Sequence, residues 1–177
     1  PSRGLGDVYK RQSQGGELKF LYYGRKLTDA DVHAIVSTES GSFSAYPVYG
    51  LNCPSESALS VQHEDGNMTL QMEVIGVETT HQEKANLTVI SLKDKVYPFY
   101  VKLCYKAYQD VDVIEAWTEI SHKEKKNVKL NQFASAYLPV RKGNVWLSSL
   151  YGAWANEARL VQEPLEPVSY THLTLPT

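Results

Sequence analysis

Residues 97–154 read YPFYVKLCYKAYQDVDVIEAWTEISHKEKKNVKLNQFASAYLPVRKGNVWLSSLYGAW, and this stretch decides the fold class. Four runs of strand-forming residues are separated in it by short polar breaks. In the first run Phe99, Val101, Leu103, Tyr105 and Ala107 alternate with Tyr100, Lys102, Cys104, Lys106 and Tyr108, the period-2 pattern of a pleated strand with two unlike faces. Gln109 and Asp110 break it. Val113 to Ser121 is rich in β-branched and aromatic residues and sets Ile114, Ala116, Thr118 and Ile120 opposite Val113, Glu115, Trp117 and Glu119. A charged turn, His122 to Asn127, leads to a third run, Val128 to Tyr137, closed by Pro139. Arg141 to Asn144 form a further turn, since Gly143 and Asn144 tolerate positive φ. Val145 to Tyr151 is the fourth strand, ending in an aromatic patch at Tyr151 and Trp154. The expectation is a four-stranded β-meander.

The 177 residues suit one domain, or a large fragment of one, with a sizeable core. The two ends carry an unusual relation. Asp7 to Gln12 back-translates to GAT GTG TAT AAG AGA CAG, and its reverse complement, read from the third base, encodes Val168 to His172 and opens a leucine codon for Leu173. One inverted DNA sequence at both ends resembles a sequencing-library adaptor translated into the flanks of a gene fragment. Residues 1–12 and 168–177 are therefore read as non-native, and 13–167 as the domain. With both ends read as cut, the lack of a leader leaves cytoplasmic and secreted locations equally open. No apolar run reaches the ~18 residues of a membrane-spanning helix. The net charge of −2 and the absence of a basic block exclude a nucleic-acid surface. Cys53 and Cys104 are read as free thiols, because a domain of this size needs no staple.

Upstream, Glu17 to Leu27 alternates weakly and bends at Gly24. Thr28 can cap a short helix over Asp29 to Ile35, with Asp29 and Asp31 in the first turn, where the helix dipole favours carboxylates. Ser37 to Ser44 reads as a surface loop, and Ala45 to Pro54, with two prolines and Gly50, as an ordered aromatic loop. Ala58 to His63 and Met68 to Ile75 flank Glu64-Asp65-Gly66-Asn67, the clearest hairpin signal in the chain. Glu78 to Asn86 reads as a polar, mobile segment and Leu87 to Leu92 as a strand. The fold class is all-β: an antiparallel sandwich of two large sheets with one short helix.

The carboxylates Asp110, Asp112, Glu115 and Glu119 invite a glycosidase reading, because two carboxyls flanking a glycosidic bond perform that hydrolysis. Their spacing argues for a turn and a solvated sheet face instead. His63, His81 and His122 stand in or beside turns without a second ligand at metal spacing, so no zinc site is expected. Ser148 and Ser149 lack the glycines of a nucleophile elbow. Asn67-Met68-Thr69 and Asn86-Leu87-Thr88 match glycosylation acceptors, which matter only in a eukaryotic secretory context. Tyr46, Tyr49, Tyr137, Trp146, Tyr151 and Trp154 suit cores, subunit interfaces or stacking on sugar rings.

Four strings occur in order: Tyr22-Tyr23-Gly24-Arg25-Lys26, Ala45-Tyr46-Pro47-Val48-Tyr49-Gly50, Asp112-Val113-Ile114-Glu115-Ala116-Trp117-Thr118-Glu119-Ile120, and Leu150-Tyr151-Gly152-Ala153-Trp154-Ala155-Asn156-Glu157. Together they resemble the N-terminal region of the glycoside hydrolase family 36 α-galactosidases. The resemblance implies an N-terminal β-supersandwich of the galactose-mutarotase-like type, followed in the parent by a catalytic (β/α)8 barrel and a C-terminal β domain. The family's nucleophile and acid/base aspartates lie in the barrel, so no catalytic residue, metal or cofactor is expected here. Where many members continue the Tyr-Pro-x-Tyr-Gly motif with Asn-Thr-Asp-aromatic-Arg, this chain has Leu51-Asn52-Cys53-Pro54, and no substrate contact is carried over.

The expectation is thus a non-catalytic domain of a bacterial retaining α-galactosidase that supports the barrel and joins subunits of a homo-oligomer. The rival is a free-standing carbohydrate-binding module whose exposed Tyr and Trp residues hold a glycan.

Overall fold

The computed structural model describes residues 18–22, 27–28, 30–31, 33–34, 43–50, 56–111, 113–139 and 145–164. More than half of them lie in strands. The chain divides into two bodies, residues 1–139 and 140–177. The first holds β1 (Lys19–Phe20), β2 (Phe43–Ser44), β3 (Leu59–Gln62), β4 (Met72–His81), β5 (Ala85–Asp94), β6 (Phe99–Tyr108), β7 (Ile114–His122) and β8 (Lys129–Phe133). The second is a hairpin of β9 (Trp146–Ala153) and β10 (Asn156–Pro164).

The centre of the first body is the antiparallel sheet β4-β5-β6-β7. The alternation read in β6 is realised in space. Val101 stands between Leu92 and Ile120, and Leu103 between Ile90 and Thr118, all on one face. That face closes a core with Leu59 and Val61 of β3, Ala45, Tyr46, Ala58 and Leu70, and Leu18 before β1. The arrangement is an all-β antiparallel sandwich whose second layer is made of two-stranded pairs, β1-β2 and β3-β8. Burying Phe99, Val101, Leu103, Ile90, Leu59, Val61 and Leu70 almost completely contributes about 1.5–3 kcal/mol for each side chain. Residues 30, 31, 33 and 34 are helical, as expected. Thr28 Oγ1 donates to Asp31 Oδ2 and accepts from Asp31 N–H, a reciprocal cap.

Several expectations are corrected. The meander does not run from residue 97 to 154. It comprises β4 to β7, and the third expected strand leaves the sheet to pair with β3 as β8. The charged 122–127 segment is no tight turn but a strap across one end of the sheet. It is held where Lys123 N–H donates to Pro98 O, Glu124 meets His63 and Lys126 meets Glu64. The Glu64–Asn67 turn forms, with Gly66 at φ 84° and His63 N–H bonded to Asn67 O. Its arms do not pair with each other, because β3 takes β8 and β4 takes β5. Glu78 to Asn86 is not mobile loop. It forms the far ends of β4 and β5 and a tight turn, stitched by Thr79–Thr88 and His81–Asn86 side-chain hydrogen bonds.

Phe43–Ser44, expected in a loop, forms β2, and β1 is shorter than the strand expected over residues 17–27. β10 lies beyond the last expected strand: Glu157 to Leu160 alternates polar and apolar for only four residues before Val161 breaks the pattern, the tip residue Ala155 has φ 59°, and Ala158, at a bulge inside β10, has φ 57°, where alanine does not signal a left-handed backbone. The 141–144 turn, the loop residues 51–54 and both flanks lie outside the described residues.

Candidate functional site

The densest polar cluster gathers where β3, the β5–β6 turn and the strap meet. His63 is buried, and its ring lies flat on Tyr97, with centroids 3.6 Å apart and planes 7° from parallel. Phe99 meets the same ring edge-on at 6.1 Å. His63 Nδ1 lies 2.9 Å from Glu124 Oε1. An ionised carboxylate only accepts, so Nδ1 carries the proton. His63 Nε2 is buried without a hydrogen-bond partner among the described residues. The Tyr97 hydroxyl donates to Asp65 Oδ2 at 2.6 Å and accepts from Asn67 Nδ2 at 3.0 Å. This hydrogen bond, with the Asn67 N–H, holds the Asp65 carboxyl below its ordinary value, and the same contact raises the Tyr97 phenol. Beneath it, Asp94 is 1% exposed and accepts from the backbone N–H groups of Gln71, Val96 and Tyr97 at 2.6, 2.8 and 2.8 Å. The Asp at the head of the 94–97 turn carries the signal for this, an Asx turn, and the reading of the sequence passed it over.

The 45–50 loop proves structural. Ala45 N–H donates to Leu18 O, Pro47 O accepts from Ala58 and Leu59, Tyr49 N–H donates to Leu59 O, and Tyr49 O accepts from Leu70. Val48 bridges Leu59 in parallel. Tyr46 is buried in the core and its hydroxyl donates to Ala134 O, and burial pushes its phenol above the ordinary value. Tyr49 keeps 48% of its surface exposed.

The carboxylates do not converge. Glu115 and Glu119 lie on the outer face of the sheet, facing Lys106 and Lys102 across β6–β7. Glu115 accepts from the Tyr108 hydroxyl and Glu119 from Trp117 Nε1. Asp110 is in the β6–β7 turn, and Asp112 is outside the described residues. His81 and His122 lie at strand ends of the same sheet. No group of three or more His, Cys, Asp or Glu able to hold a metal occurs among the described residues. Cys104 is a free thiol, and burial first, then the Glu119 charge, raises it above its ordinary value; Cys53 is outside the described residues. Tyr137 packs against the core. Trp146, Tyr151 and Trp154 belong to the second body, with Tyr151 opposite Arg159 and Trp154 at the hairpin tip, 97% exposed. No described helix is long and apolar enough to cross a membrane.

A family model described as the glycosyl hydrolase family 36 N-terminal domain matches residues 16–171. No curated protein sequence matches. Among solved structures, a variant of the family 36 α-galactosidase AgaA from Geobacillus stearothermophilus in complex with raffinose is similar at TM-score 0.77 and 21% identity, over 88% of this chain and 26% of that one. The α-galactosidase from Lactobacillus brevis is similar at TM-score 0.75 and 19% identity, over 88% and 25%. The AgaB enzyme of G. stearothermophilus follows at TM-score 0.73 and 23% identity, over 87% and 25%. The present chain thus spans about a quarter of the length of the solved enzymes it matches.

Proposed function

This chain belongs to the N-terminal domain family of the family 36 glycosyl hydrolases, and from that premise we propose that it is a non-catalytic β-sandwich of an α-galactosidase. Hydrolysis of terminal α-galactosides would be carried out by a barrel elsewhere in the parent chain. One observation carries the reading: 88% of this chain aligns with 26% of an α-galactosidase. The sandwich's own chemistry agrees. Retaining hydrolysis needs two carboxyls about 5 Å apart, one as nucleophile and one as proton donor, and a donor whose proton affinity is raised by a dry pocket. Glu115 and Glu119 are spent on Tyr108 and Trp117 on an open sheet face.

Its role in the parent is to cover the barrel and to join subunits of a homo-oligomer. Exposed apolar residues support it: Leu130 and Phe133 on β8, and Leu150 and Leu160, which are cross-strand neighbours on one face of the β9–β10 hairpin, since exposed apolar surface marks protein contact. The flanks 1–12 and 168–177 are read as translated adaptor, supported by the inverted repeat of their coding sequence. Sequencing across the genomic junctions checks that reading.

The purified 177-residue chain is expected to leave an aryl α-galactoside intact, while the parent hydrolyses it with retention, followed by NMR of the released anomer. Turnover by the chain that disappears with Glu115→Gln or Glu119→Gln would move the active site onto β7 and overturn the assignment.

A further inference from the structure

The chain has one Asp-Gly pair, Asp65-Gly66, and no Asn-Gly pair. Such a pair is open to a spontaneous rearrangement, because glycine has no Cβ to keep its nitrogen away from the preceding carboxyl. The Gly66 nitrogen bonds to Asp65 Cγ, and the amide proton leaves with the carboxyl OH as water, closing a five-membered imide. Water then adds to the imide carbonyl that was the Asp65 backbone carbonyl, and the C–N bond there breaks. The main chain afterwards runs through Cγ as isoaspartate, with one water lost, one regained and nothing oxidised or reduced. Asp65 and Gly66 are both exposed, so burial does not keep water from them.

All the groups that must move are held in the folded chain. Asp65 Oδ2 accepts from the Tyr97 hydroxyl at 2.6 Å, Oδ1 accepts from the Asn67 N–H at 3.0 Å, and the Gly66 N–H donates to His63 O at 3.0 Å. The last two bonds lie within the turn itself. The first comes from a residue 32 positions away. Tyr97 is fixed in turn: its ring lies flat on the buried His63, its hydroxyl accepts from Asn67 Nδ2, and its backbone N–H donates to Asp94. We infer that Asp65 is a modification site, the place where this chain forms isoaspartate, and that the Tyr97 hydroxyl keeps it closed while the protein is folded. A carboxyl oxygen leaves as water only from the protonated acid, and the Tyr97 bond, then the Asn67 N–H, favours the ionised form by holding the carboxyl below its ordinary value. Isoaspartate lengthens the main chain by one carbon inside a turn closed by the His63 N–H on Asn67 O, and the carboxyl that met Tyr97 becomes part of the backbone. The change falls beside His63 and Glu64, the residues that pin the 122–127 strap. The site is independent of the domain role proposed above.

Prolonged incubation of the 177-residue chain at neutral pH, well below its unfolding temperature, tests it. Isoaspartate is quantified with an isoaspartyl methyltransferase and located by peptide mapping with an endoproteinase that cleaves before aspartate and not before isoaspartate. The folded wild type is expected to accumulate isoaspartate at residue 65 severalfold more slowly than the same chain in guanidinium chloride. Tyr97→Phe, still folded, is expected to accumulate it severalfold faster than the folded wild type. Leu103→Ala, which weakens the core and keeps the Tyr97 contact, is expected to stay close to wild type. Equal rates in Tyr97→Phe and wild type overturn the proposal, and so does an equal acceleration in Leu103→Ala, since general opening of the chain would then set the rate. If circular dichroism shows that Tyr97→Phe has lost the sheet, the wild type decides by itself: a folded rate severalfold below the unfolded one supports the closed site, and equal rates refute it.

Discussion

At the scale of single residues, backbone geometry dictates Gly50. Its φ of 124° is closed to L side chains, and a Cβ there would stand 2.6–2.9 Å from Cγ2, Cα and Cβ of Thr69. Gly50→Ala is expected to cost about 2 kcal/mol or more, from strain and overlap together, read as a lower urea midpoint. The Asp65–Tyr97 contact makes stability depend on pH with a defined sign. A carboxyl held low in the folded state contributes stability that is full above the ordinary carboxylate range and lost as pH falls through the folded value. The phenol, raised by the same hydrogen bond, contributes below its ordinary value and loses that as pH rises through the folded one. Tyr97→Phe should therefore flatten the acid limb of a stability-against-pH curve, and an unchanged limb would refute the coupling. Cys104, covered and with its thiol raised, should react with a thiol reagent only once the chain is unfolded.

At the scale of elements, Asp94 ties the entry of β4 to the β5–β6 turn through three backbone donors. Asp94→Ala leaves them buried without an acceptor and is expected to cost about 3 kcal/mol or more. Asp94→Asn should fall between, because an amide N–H₂ placed at Oδ2 faces the Gln71 N–H donor to donor. Hydrogen exchange should rank the strands. Amides of β5 and β6, paired on both sides, exchange most slowly, and those of the β9–β10 hairpin, exposed throughout, most rapidly. Equal rates in β6 and β10 would contradict the sheet order. The β6 strand was legible because its alternation of Phe99, Val101 and Leu103 with Tyr100 and Lys102 states which face is buried. The partner of β8 was not legible, since the choice between β7 and β3 is made by the strap, pinned through His63–Glu124 and Lys126–Glu64, whose members are 61 and 62 residues apart in sequence.

At the scale of the whole molecule, the hairpin body carries large apolar side chains on both of its faces: Trp146, Leu150 and Leu160 on one, Leu147, Tyr151 and Val161 on the other. A two-stranded ribbon alone is marginally stable, and exposed apolar surface of this kind binds hydrophobic dyes. The isolated chain is expected to enhance anilinonaphthalene sulfonate fluorescence, and Leu150→Ser with Leu160→Ser to reduce it; no change in the double variant would place the dye elsewhere. The residues by themselves determined the all-β class, the strand cores of β5, β6 and β7, the capped turn of helix at Thr28 and the tight turn at Gly66, because periodicity, capping and positive φ are local properties written into short stretches. Tertiary structure alone decided that β3 pairs with β8, that the polar ends of β4 and β5 form strand, and that Ala45, Tyr46 and Pro47 at the start of the 45–50 loop are buried. It also decided that His63, Asp65, Tyr97 and Glu124 meet. These depend on backbone and side-chain partners distant in sequence, and a hydrogen bond between distant residues leaves no period in either segment that makes it.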